Sequence, residues 1–356
     1  MIEKVLTGAE QITPEWLTDL LRERRVLTRG EVVGVTCGDA RRTFASTVWH
    51  LHVAYSRGAN RSAPRRLFLK ASNPALAPGE FAPQGQHQEV LFYQVVAPAM
   101  DDPPAVACYD AAFEPGTGAS HVLLQDVSET HVTCVDPGRQ QSCERAVEAL
   151  ARLHASWWDH PCLGNGVGVF PTPQEREEGW ADAERRTGEF MMALGDRLRG
   201  PWRAAYTSTL RSLPHLYERH ATGRNLTLAH GDAHLGNCLF PRDPGSGPTY
   251  LVDWQFWHPT IGGTDLAFMI ATEWEPQLRR LVEGSLLRRY HAALLERGVQ
   301  GYPWDSCWND YRLSVILVSI FIPIWRWSTF HLEADMTALE RSMTAFEDLG
   351  CPELLI

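Results

Sequence analysis

Apolar and polar residues alternate over EVVGVTC (31–37) and STVWHLHVAY (46–55), and in the second run Trp49, Leu51, Val53 and Tyr55 share one face. That period of two is a strand pattern. The polar run SRGANRSAPR reverses the chain, and RLFLKA returns as another strand ending near Lys70, so an antiparallel hairpin is the economical arrangement. Ahead of these, Thr13 as N-cap, Pro14 in the first turn and Ile12 stapled against Leu17 predict a helix running to about Arg24. HQEVLFYQVVAPAM reads as a helix closed near Pro98, and AVACYDAAF and SHVLLQDV read as two further strands.

From Ser142 the apolar spacing changes to three and four, which predicts helices over CERAVEALARLHASWW, EEGWADAERRTGEFMMAL and WRAAYTSTLRSLPHLYERH. A short β segment interrupts them, LTLAH through CLF to TYLVDW, with PRDPGSGP as the turn between its last two strands. Helices resume from about Asp265. The plan is α+β, an antiparallel β lobe at 1–127, a linker at 128–141 and a mainly helical lobe at 142–356. The longest apolar run, Leu313–Trp325, is shorter than the roughly 20 residues of a membrane span and holds Pro323, so it reads as a buried helix and no membrane partner is expected.

A formal charge of -10 removes the counterion-release drive toward phosphate backbones and excludes nucleic acid as the partner. Eight cysteines without a CxxC pair read as reduced thiols, and the N-terminus lacks a basic region followed by an apolar core, so a cytoplasmic protein is expected.

The chemistry concentrates in AHGDAHLGNCLF and TYLVDWQ. Mg²⁺ takes oxygen ligands and keeps waters and substrate phosphates, so one carboxylate and one amide oxygen suffice; Asp253 and Asn237 supply that pair. Asp232, five positions before Asn237, then faces an acceptor hydroxyl as catalytic base. His230, Asp232 and His234 also read as HxDxH, the clamp of a metal-dependent hydrolase. A non-catalytic nucleotide-binding module is the remaining alternative.

HGDAHLGN and DWQ resemble the aminoglycoside phosphotransferase and choline kinase-like enzymes, especially the ecdysteroid kinase-like branch. The resemblance runs over about residues 30 to 270 and implies a protein-kinase-like bilobal fold. It implies a small-molecule kinase that moves the γ-phosphate of ATP or GTP to a hydroxyl, with Asp232 as base and Asn237 and Asp253 holding Mg²⁺. By the same likeness Lys70 grips phosphates and Glu89 pairs with it, the backbone of Gln125 to Val127 meets the nucleotide base, and Asp265 braces the catalytic loop. The phosphate loop departs from a protein kinase: CGDARRTFAS has no GxGxxG, which leaves backbone amides near Phe44 and Ala45 and the hydroxyls of Thr43 or Ser46. The acceptor, a small hydroxylated molecule, stays open among antibiotics, as in antibiotic resistance, and amino alcohols, sugars, nucleosides and steroid-like alcohols. Trp274 between Glu273 and Glu275 is the candidate for its wall.

Overall fold

The computed structural model describes residues 5–43, 46–72, 87–133, 140–243, 245–330 and 333–356. They form two compact units, Met1–Val132 with Leu239–Phe256, and Thr133–Cys238 with Trp257–Ile356. The chain therefore returns to its first unit after the second has begun. Residues 134–139 of the expected linker lie outside the described residues.

In the first unit, helix α1 (Pro14–Glu23) begins as the sequence predicts, with Thr13 Oγ1 accepting from the Trp16 amide at 3.2 Å. The strands are β1 (Val32–Cys37), β2 (Arg41–Arg42), β3 (Ser46–Tyr55), β4 (Arg66–Ser72), β5 (Cys108–Glu114) and β6 (Ala119–Gln125). They form one sheet in the order β1-β3-β4-β6-β5, with β2 on β3 and every pairing antiparallel. Leu51, Val53, Leu67, Leu69 and Leu123 pack with Leu17 and Leu21 of α1, four residues apart on one helix face. Because side chains alternate along a strand, burying Leu67, Leu69 and Ala71 turns Phe68 and Lys70 to the opposite face of β4. Lys70 lies between Val48 and Val122 in the register.

The predicted helix at 87–98 forms with a change of winding. Residues 87–91 (α2) are α-helical, Phe92–Val96 is a π-helix and Ala97–Ala99 a 3₁₀ turn. Pro98, which has no amide hydrogen to continue an α ladder, falls in that last turn. The β segment expected from LTLAH to TYLVDW divides between two sheets. Strand β9 (Cys238–Pro241) lies between β10 (Tyr250–Leu251) and β7 (His131–Thr133), whereas β8 (Thr227–Ala229) pairs with β11 (His258–Thr260).

The second unit is helical: α3 (Gln140–Ser156), α4 (Pro173–Leu194), α5 (Gly200–Leu216), α6 (Glu218–Ala221), α7 (Gly263–Leu266), α8 (Pro276–Glu296), α9 (Trp304–Leu317), α10 (Ile322–Phe330) and α11 (Met336–Asp348). Ala146, Val147, Leu150 and Leu153 of α3 are buried at the three-and-four spacing, and α3 packs on α8. The apolar run expected as one helix is broken: α9 stops at Leu317, a 3₁₀ turn covers Ser319–Phe321, and Pro323 sits in the first turn of α10. Taken whole, Trp304–Thr329 is long and apolar enough to cross a membrane by length and composition, with 67% of its most apolar window buried inside the fold.

Candidate active site

Two constellations stand out, one in each unit. In the first, the Lys70 ammonium reaches Glu89 Oε2 at 2.8 Å and Asp253 Oδ1 at 2.7 Å. Burial alone would lower the ammonium, but the Asp253 and Glu89 carboxylates outweigh it and hold Lys70 above its ordinary value. Burial raises the Glu89 carboxyl, with Lys70 opposing. Lys70 to Asp253 is a contact across 183 residues of sequence, beyond the pairing with Glu89 that the resemblance implies.

Neighbouring residues position both acids. Gln255 joins Lys70 in opposing the effect of burial on Glu89, and three positions after Glu89 the Phe92 ring stacks on Trp254, centroids 3.6 Å apart and planes 7° apart. Trp254 is fully buried, and its indole N–H donates to the Leu251 carbonyl at 3.1 Å. One stretch of helix thus grips Trp254 and Gln255, the residues that follow Asp253. Asp253 has a φ of +68°, a left-handed conformation that Asp tolerates better than most residues, and its side chain is 43% exposed.

The second constellation is the loop after β8. Gly231, at φ +82°, makes the turn that an L-residue would resist. The Asp265 carboxylate accepts the His230 amide at 2.7 Å and the Gly231 amide at 2.9 Å, the bracing the resemblance implied. Asp265 is fully buried; burial would raise it, but the His154 ring and the His230 amide hold it below the usual carboxylate range. Asn237 Nδ2 donates to both the Asp232 carbonyl and Asp232 Oδ2 at 2.9 Å. The Asn237 amide oxygen is therefore the end not engaged with Asp232. Both constellations offer the hard oxygens that suit Mg²⁺, an exposed carboxylate in one and an amide oxygen in the other.

The HxDxH clamp is not assembled. His230 is buried, with its Nδ1 accepting from the Asp232 amide at 3.3 Å, and His234 Nε2 stands 3.7 Å from Asp232 Oδ2. Among the described residues no group of three or more His, Cys, Asp or Glu is arranged to hold a metal.

Ser46 opens β3 opposite Ser72, its amide and carbonyl both tied to Thr43 Oγ1, at 3.2 and 3.0 Å. Phe44 and Ala45 lie outside the described residues. At the end of β6 the Gln125 amide donates to Ala107 O at 2.8 Å, and the Val127 carbonyl accepts from the Thr130 and His131 amides at 3.0 and 2.8 Å. Between them Asp126 Oδ2 meets His50 Nδ1 at 2.8 Å and Arg66 at 3.3 Å, a contact that sequence reasoning missed. The expected acceptor wall is corrected: Trp274 is a core residue at 2% exposure, Glu273 is paired with Arg326 and Glu275 with Arg341.

No curated protein sequence matches the chain. The model of the ecdysteroid kinase-like family matches residues 202–299, a stretch that holds both Asp232 and Asp253. A choline/ethanolamine kinase family protein from Mesorhizobium loti is similar in structure at TM-score 0.50 and 14% identity, over 89% of this chain and 88% of that one. The GDP complex of an aminoglycoside 2'-phosphotransferase-IIIa variant is similar at TM-score 0.53 and 11% identity, over 96% and 98% of the two chains. A thermostable mutant of the aminoglycoside phosphotransferase APH(4)-Ia, in ternary complex with ADP and hygromycin B, is similar at 0.53 and 12%, over 94% and 98%. The fold is α+β and protein-kinase-like, and the resemblance read from HGDAHLGN and DWQ is borne out.

Proposed function

From a match to the ecdysteroid kinase-like family over residues 202–299 and a fold shared with choline kinases and aminoglycoside phosphotransferases, we propose that this chain is a small-molecule kinase. It transfers the γ-phosphate of ATP or GTP to a hydroxyl of a small acceptor in the cytoplasm. The observation that carries the reading is the pair of contacts made by Lys70, which join a helix acid and the Asp of DWQ around one ammonium.

Asp232 accepts the acceptor's hydroxyl proton as the new P–O bond forms and the bond to the nucleoside diphosphate breaks. Asn237 Nδ2, donating to Asp232 Oδ2, holds that carboxylate in one orientation. Lys70 grips the donor phosphates, and Glu89 keeps the ammonium from swinging away. Asn237 and Asp253 are the residues to hold Mg²⁺, which when bound neutralises charge on the phosphates. Ser46 lies on the phosphate side, and the Gln125 to Val127 backbone meets the base.

The test is a coupled nucleotide-consumption screen against hydroxylated small molecules, run with ATP and with GTP and repeated with Asp232→Ala. Acceptor-dependent turnover lost in Asp232→Ala supports the reading; turnover retained in that variant sinks it.

A further inference from the structure

The loop that carries Asp232 is braced by Asp265, and Asp265 is itself held from behind. His154 Nε2 lies 3.1 Å from Asp265 Oδ2, and His154 Nδ1 lies 2.6 Å from the Tyr290 hydroxyl. All three side chains are buried, from α3, α7 and α8. Thr227 Oγ1 closes the arrangement on the His154 carbonyl at 2.7 Å, one strand before the loop.

We propose that Tyr290 is a positioning residue for phosphoryl transfer, acting through His154 and Asp265 on the loop that presents Asp232. This rests on the kinase reading above. A neutral imidazole has one N–H and one lone pair, and which nitrogen holds the proton is decided by the partners. Burial pushes the ionisation of the Tyr290 phenol well above its ordinary value, so it keeps a proton to donate, and Nδ1 is the acceptor 2.6 Å away. The proton of His154 is thereby directed to Nε2 and onto Asp265 Oδ2, the same oxygen that accepts the His230 amide. Without the phenol donor the ring is free to adopt the other tautomer, which presents a lone pair to a carboxylate and loosens the brace.

A second observation points the same way. Gly262 has an ordinary φ of -63°, which any residue adopts, so backbone freedom does not explain it. A Cβ there would fall 2.3 Å from the Tyr290 hydroxyl oxygen and 3.0 Å from His154 Nδ1. The glycine makes room for this hydrogen bond.

Tyr290→Phe keeps the ring and removes the hydroxyl. It is expected to lower kcat about tenfold, as loss of an outer partner commonly does, with the nucleotide KM within about twofold of wild type. ¹⁵N spectra of the labelled full chain should show His154 as one tautomer in the wild type and a mixture in the variant, and amide exchange at His230 and Gly231 should quicken. Tyr206→Phe removes an equally buried phenol, one that donates to the Ile320 carbonyl at 2.7 Å, and should leave all three readouts unchanged. Gly262→Ala should cost less kcat in the Tyr290→Phe background than alone, because the hydroxyl it collides with is gone. Tyr290→Phe with wild-type kcat, a single His154 tautomer and unchanged exchange overturns the proposal. If no acceptor is found, the spectra and the exchange still judge the relay, so its failure is distinguishable from failure of the kinase reading.

Discussion

Among single residues, Lys70 is the most informative. It is largely buried between two carboxylates, and replacing it leaves Glu89 without its cation in a low-dielectric setting. Lys70→Met is expected to cost about 3 kcal/mol in urea unfolding, and adding Glu89→Gln should recover part of that loss. Asp232→Ala should abolish transfer while isothermal titration with Mg²⁺ and nucleotide changes little, since the proposed function sets Asp232 on the acceptor side. Asp232, Asn237 and Asp253 stood out as candidates because each sits in a short string of unusual chemistry at the edge of an apolar strand. The contact between Lys70 and Asp253 did not, because a separation of 183 residues leaves no local pattern. The contact of His154 with Asp265 was not legible for a similar reason: a lone His on a helix face carries no mark of the buried acid it will meet.

At the level of elements, the stack of Phe92 on Trp254 couples the helix bearing Glu89 to the segment bearing Asp253. Phe92→Ala should cost about 3 to 5 kcal/mol of stability. Nucleotide affinity should fall further in Mg²⁺ than in EDTA, because Asp253 loses its support while Lys70 keeps Glu89. The longer strands of the main sheet were readable from the sequence, and α1 from its cap and staple, whereas β2 lies in the stretch read as the phosphate loop. The short pairings were not readable: β8 and β11 are three residues each, too short for periodicity to choose a partner. The π winding at Phe92–Val96 is likewise set by tertiary packing, since the local sequence fits an ordinary helix equally well.

For the whole molecule, acid stability has a definite sign. His220 sits against Thr260 Oγ1 at 3.1 Å, and burial, with Arg219 and His258, lowers it from 6.5 to about 4. Its folded form resists the proton that the unfolded chain accepts. The stability it contributes is complete above pH 6.5 and is lost as pH falls toward 4, by on the order of 3 kcal/mol at most. Urea midpoints measured across that window should fall less steeply in His220→Gln. Thermal shifts should report the ligand: nucleotide with Mg²⁺ at a hundredfold over Kd adds about 2.7 kcal/mol. The Mg²⁺-dependent part should vanish in Asp253→Ala.

The first unit is assembled from two stretches of chain, and Leu239–Phe256 is the later one. During synthesis the β sheet of residues 32–125 emerges early, yet the ring that covers Phe92 and the carboxylate that meets Lys70 are made more than a hundred residues afterwards. A nascent chain halted at Val132 would display an unfinished apolar face and an ammonium with one of its two acids absent. Ribosomes must therefore deliver the chain past Phe256 before that unit can close, which makes the intervening stretch the interval in which a chaperone has most to protect.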